Sequence, residues 1–184
     1  CVFKAKPDNR PQFSLFLSYL LILLETEDFI VALKNTINYL SSYWSLNSIT
    51  KEFQLGLFGE LHILELLIKK LGWIDALNYW KGPDKGLHDF IINNSLIEIK
   101  TTETDPPSIR IDNPAQLFIP KNHNLFLNIC YVSIGEGLDI VEKVNKLENN
   151  YGEYALVKNE FERKLFSIGY FNHLLTHSLI KIKI

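Results

Sequence analysis

Two acids and a lysine define the chemistry this chain can do. They lie in the run His88-Asp89-Phe90-Ile91-Ile92-Asn93-Asn94-Ser95-Leu96-Ile97-Glu98-Ile99-Lys100. Asparagine tolerates the left-handed backbone of a tight hairpin turn, and Asn93-Asn94 sits between two apolar runs. A turn there sets Ile92 opposite Ser95, Ile91 opposite Leu96, Phe90 opposite Ile97 and Asp89 opposite Glu98. Residues directly opposed in this way have Cβ atoms about 4.5–5.5 Å apart. Lys100 lies two residues beyond Glu98 and shares its face. Phe90, Ile92, Ile97 and Ile99 take the other face and enter a core.

Like charges placed opposite each other weaken a sheet, so a purely structural hairpin gains nothing from this pair. Two carboxylates so close need a cation between them, or one must take up a proton. A hard divalent ion accepts carboxylate oxygens and keeps waters for a phosphate substrate. Two acids, such an ion and a lysine form a phosphodiester-hydrolysis site.

The 184 residues suffice for one domain with a real core. The chain is 47% apolar and 22% charged, as in ordinary globular proteins. Its formal charge of −2 counts mildly against an extended nucleic-acid footprint but leaves room for a local basic groove. Cys1 and Cys130 are far apart and make no disulfide or zinc pattern, which fits a reducing, cytoplasmic setting. The longest apolar stretch, 13–24, falls short of the roughly 20 residues a membrane span needs and reads as a buried helix. No signal peptide is visible. The start at Cys1 and the absence of Met suggest a piece of a longer protein.

The elements that must position the acids follow from periodicity. Helical spacing runs through 13–24 and 27–44. Ser48 or Thr50 can cap a third helix that continues to Leu71 and is closed by Gly72. The stretch 73–86 reads as a loop. The hairpin covers about 88–102, and Pro106-Pro107 ends it. Residues 108–112 alternate like a further strand, and 125–134 reads as a buried central strand. Helices follow at about 138–149 and 154–167, and 180–184 alternates like an edge strand. The expected fold class is α/β: a mixed central sheet flanked by helices, with an N-terminal helical part. The expected organisation is a single domain over 1–184, with helices at about 10–50, a catalytic core at about 51–135, and helices and an edge segment at about 136–184.

Glu60 falls in the apolar stripe Phe53, Leu57, Leu64, Leu67 and Leu71. It reads either as an inward carboxylate facing the metal site or as a boundary residue reaching water. Glu65 lies on a different side, where solvation is expected. Either hydroxyl of Thr101 and Thr102 could touch a phosphate or belong to an ordinary strand residue, and Arg110, on the polar face of the expected third strand, is a phosphate-contact candidate or simply solvated. Gln116, after Asn113-Pro114-Ala115, means little alone. His88 is expected on the face away from Asp89 and is not taken as a ligand. His173 and His177 have a zinc-compatible spacing but no further ligand nearby. The triplet Asn93-Asn94-Ser95 could accept a glycan only outside the cytoplasm.

A longer pattern adds to this. Gly56-Leu57-Phe58-Gly59-Glu60, Trp80-Lys81-Gly82-Pro83, His88-Asp89-Phe90, Ile97-Glu98-Ile99-Lys100-Thr101-Thr102 and Ile111 through Gln116-Leu117 occur in one order. The pattern resembles the PD-(D/E)XK nuclease superfamily, in particular a bacterial group that accompanies restriction and phage-defence systems. The resemblance covers most of the chain and is strongest over about 53–117. It implies a restriction-endonuclease-like core. It also implies that Asp89 and Glu98, with the Ile99 carbonyl, bind Mg²⁺ (or Mn²⁺), that Lys100 helps activate water, and that Glu60 supplies a helix-borne acid. Gln116 matches a glutamine that some members place near the site. His88 stands where the signature has Pro. Pro120 stands where some exonuclease members have Tyr, which argues against an exonuclease. The expectation is a Mg²⁺-dependent DNA endonuclease of the restriction or phage-defence type. Gln116, Thr102 and Arg110 would touch substrate, and the partners would be DNA and a second copy or other defence proteins, with no membrane. A catalytically silent DNA-binding or assembly module is the alternative, and an RNA or junction nuclease would share the site.

Overall fold

A computed structural model describes residues 10–44, 50–111, 113–150, 155–170 and 179–184. Its helices are α1 (Arg10–Leu23), α2 (Phe29–Trp44), α3 (Lys51–Leu71), α4 (Trp73–Tyr79), α5 (Ile140–Glu148) and α6 (Ala155–Ser167). Its strands are β1 (Phe90–Ile92), β2 (Ser95–Thr102), β3 (Asn124–Tyr131), β4 (Ser133–Leu138) and β5 (Ile182–Lys183). The main sheet has the order β1-β2-β3, antiparallel on one side of β2 and parallel on the other. The expected mixed α/β fold is therefore present.

The hairpin has the register that a turn at Asn93-Asn94 dictates: Phe90 faces Ile97, Ile91 faces Leu96 and Ile92 faces Ser95. Asn93 takes the left-handed conformation, with φ 51°. Thr50 caps α3, its side chain accepting from the Phe53 N–H, and Gly72 closes it at φ 85°. Gly59 lets α3 lie directly on β2, because a Cβ there would collide with Thr101 Oγ1 and crowd Ile99 Cγ2 at 3.3 Å. The core gathers between α3, α4, the hairpin, α5 and α6 around Leu61, Leu64, Trp80, Phe90 and Phe161. Trp73 meets Phe161 edge-on at 5.5 Å between ring centroids. The N-terminal helices dock on α6 through Tyr19, stacked on Tyr39 at 4.5 Å and edge-on to Phe166 at 6.3 Å.

Four expectations are corrected. The stretch 73–86 holds α4 and a short 3-10 turn at Gly82–Asp84, because Trp73, Ala76, Leu77 and Trp80 recur at helical spacing and are buried. Residues 108–111 form no strand: Thr102 Oγ1 bonds the Ser108 carbonyl and Thr104 Oγ1 accepts from the Ser108 N–H, folding this segment back on itself. The apolar stretch from 125 is not a buried central strand. It is β3 at one side of the described sheet, with Phe126, Leu127, Ile129 and Tyr131 exposed, and β4 runs from Ser133 to Leu138 before α5 begins. The strand in the middle is β2. Glu65 is buried rather than solvated, bonded to Lys143 at 2.5 Å and joined by Lys69 and Lys146. The stripe of α3 is broad enough that α5 covers that side as well. Asp112, Cys1, His173 and His177 lie outside the described residues.

Candidate active site

The hairpin ladder ends at Phe90, and a different device holds Asp89. Its carbonyl accepts from the Lys81 N–H at 2.7 Å and the Gly82 N–H at 3.0 Å. Its carboxylate Oδ2 accepts from the Ile99 N–H at 2.6 Å, which turns the side chain toward β2. The Trp80-Lys81-Gly82-Pro83 run is the support for this residue, and α6 clamps it. Buried Lys164 donates to the Trp80 carbonyl at 2.7 Å and pairs with Asp84, and Ser167 Oγ donates to the Pro83 carbonyl at 2.7 Å.

Glu98, on β2, is almost fully buried. Its Oε1 receives Gln116 Nε2 at 2.6 Å and the Lys100 ammonium at 2.8 Å. Gln116 sits in a 3-10 turn, Pro114–Leu117, that Asn113 caps through the Ala115 N–H. Glu98 Oε2 has no hydrogen-bond partner among the described residues. Lys100 retains access to solvent.

Glu60 reaches the same place from α3. Its Oε2 accepts from the Trp80 indole N–H at 2.7 Å. A Cβ on Gly82 would stand 2.8 Å from Glu60 Oε2 and 3.4 Å from Asp89 Oδ1, so glycine keeps the space between these two acids open. Burial, then the Asp89 charge, pushes Glu60 up to about 8 despite the Trp80 hydrogen bond. Burial also raises Asp89 to about 6; the Ile99 N–H opposes this and the Glu98 charge adds to it.

The structure thus brings Asp89, Glu98, Lys100, Glu60 and Gln116 together. Thr102 is not among them: its hydroxyl is committed to the Ser108 carbonyl and to Thr104. Arg110 is exposed in the segment after β2. His88 is the residue that sequence reasoning put on the wrong side. It is buried, and its Nδ1 lies 3.9 Å from Glu98 Oε2. Strict strand alternation does not extend past Phe90, because Lys81 and Gly82 hold the Asp89 carbonyl instead of a ladder partner. Trp80 was also missed; an indole N–H needing a buried acceptor was the available signal.

A family model described as "Putative PD-(D/E)XK family member, (DUF4420)" matches residues 26–183. The chain belongs to this family. No curated protein and no solved structure matches it.

For a PD-(D/E)XK family member the implied group is a divalent cation, and three observations fit one. Glu98 Oε2 is buried and unmet. Asp89 and Glu60 are both raised by burial and by neighbouring negative charge. The space beside Gly82 is one that a Cβ would fill. Among the described residues no three His, Cys, Asp or Glu side chains converge into a ready cage. Among the described residues no helix is long and apolar enough to cross a membrane.

Proposed function

We propose that this protein is a Mg²⁺-dependent endonuclease that hydrolyses DNA phosphodiesters, in a restriction or phage-defence role within the cytoplasm. Mn²⁺ is the alternative ion. The observation that carries this reading is the convergence of Asp89, Glu98 and Lys100 on one site with Glu98 Oε2 unmet. Asp89, Glu98 and the Ile99 carbonyl would hold the ion. When bound, the cation supplies a polarised phosphoryl oxygen and a water of lowered pKa.

The chain's own residues do the rest. Lys100 Nζ orients the attacking water and balances phosphate charge. Gln116 fixes Glu98 through Nε2 and lies 3.4 Å from Lys100 Nζ through Oε1, so one amide aligns both groups. Glu60, with its carboxyl pushed up to about 8, can hold or accept a proton beside Asp89. Arg110 is the remaining candidate for a phosphate contact, and a second copy or a defence-complex protein is the proposed partner.

The test is cleavage of methylated and unmethylated duplex DNA, single-stranded DNA and RNA with Mg²⁺ and with EDTA. Mg²⁺-dependent internal cuts in duplex DNA are expected. Binding without cutting under every ion condition would instead identify a silent DNA-binding module.

A further inference from the structure

His88 has no part in the reaction as set out above. It is only 3% exposed, and neither Nδ1 nor Nε2 has a hydrogen-bond partner among the described residues. A neutral imidazole carries one N–H, and burying that donor unmet costs free energy. Glu98 Oε2 is an unmet buried acceptor, and it lies 3.9 Å from Nδ1, just beyond hydrogen-bond length. Donor and acceptor are complementary. The backbone next to the ring is fixed, because the Asp89 carbonyl is pinned by the Lys81 and Gly82 N–H groups.

We propose that His88 is a positioning residue for Glu98, its Nδ1–H closing onto Oε2. The metal-dependent role given to that pairing rests on the nuclease reading. Oε1 already takes Gln116 and Lys100. With His88 on Oε2 the carboxylate would be held at both ends, and one Oε2 lone pair would remain free for a cation. Outer groups that orient metal-binding side chains typically matter by about 10–100-fold in metal affinity.

Two measurements test this. The first is ¹⁵N NMR of the histidine rings in metal-free protein, with the His88 signals assigned by His88→Asn. A proton on Nδ1 whose signal shifts in Glu98→Gln is expected; a bare Nδ1, or no response to Glu98→Gln, overturns the pairing. The second is calorimetry with Mg²⁺ and Mn²⁺. His88→Ala should bind about 10–100-fold more weakly. His88→Asn, whose amide N–H can stand close to the position of Nδ1, should recover most of that loss. His88→Gln, whose amide reaches toward Nε2, should not. The Asn and Gln variants keep the comparison if His88→Ala does not fold. Unchanged affinity in His88→Ala, or equal loss in the Asn and Gln variants, overturns the positioning role. Wild-type protein that binds neither ion, while Nδ1 carries a proton that depends on Glu98, would strike the nuclease reading and leave the pairing in place.

Discussion

Trp80 donates its indole N–H to Glu60 Oε2 at 2.7 Å, and this bond joins α3 to the loop that holds Asp89. It partly offsets burial and the Asp89 charge, which still push this carboxyl up to about 8. Asp89 is raised to about 6 in the same place. In both cases the folded state holds a proton more tightly than the unfolded chain does. The stability linked to these protons is fully present below the unfolded carboxylate pKa and is lost as pH rises through about 6 and then about 8. Urea midpoints without metal should therefore fall across that window. Saturating Mg²⁺ should flatten the decline, and Glu60→Gln should remove its upper part. A midpoint that rises with pH across the window would contradict this.

Glu60→Gln should also slow cleavage. The amide keeps an acceptor for Trp80 but cannot take or give a proton beside Asp89. Full turnover in this variant would leave a site of Asp89, Glu98 and Lys100 alone, as measured by initial cleavage rates.

Asp89→Asn should abolish cleavage and keep the fold. The amide oxygen can still accept from the Ile99 N–H, and a charge is removed from a repulsive pair. Thermal unfolding without metal should show stability unchanged or higher by about 0.3–1 kcal/mol. An unfolded variant would make Asp89 a structural residue.

Lys100→Ala should lower turnover far more than metal affinity. Lys100 pairs with Glu98 Oε1 at 2.8 Å, so its loss leaves Glu98 more negative and the ion bound at least as tightly. Calorimetry with Ca²⁺ separates the two effects. An equal loss of ion binding in Lys100→Ala and Glu98→Ala would show that the division of roles is wrong.

The hairpin was legible because a two-residue Asn turn fixes its own register, and α3 because Thr50 and Gly72 mark its ends. Both signals are local. What the sequence hid depends on partners distant along the chain. The burial of Glu65 needs Lys143 from α5, and the exposure of β3 depends on which strand lies beside it. Alternation at 108–111 finds no neighbouring strand among the described residues. Glu60 stayed ambiguous for the same reason, since its acceptor role appears only once Trp80 is folded against it. His88 was misplaced because alternation was carried one residue past the last ladder pair.

Glu65→Gln offers a contrast within α3. Burial alone would raise this carboxyl, but hydrogen bonds from Lys143, Lys69 and Lys146 hold it well below the usual range. Neutralising it leaves the buried Lys143 without its counter-charge and should destabilise the protein by about 3 kcal/mol. The cleavage rate per folded molecule should not change. Urea unfolding paired with activity at low temperature separates these two effects.

The central claim is that Asp89, Glu98 and Lys100 together make a metal-dependent phosphodiesterase, and nicking of supercoiled plasmid by the pure protein tests it most directly. The account predicts conversion to open-circular and linear forms with Mg²⁺, none with EDTA, and none with folded Asp89→Asn at the same concentration. Cutting by Asp89→Asn at the wild-type rate, or intact plasmid with wild-type protein across Mg²⁺ and Mn²⁺ and a range of DNA sequences, would contradict it.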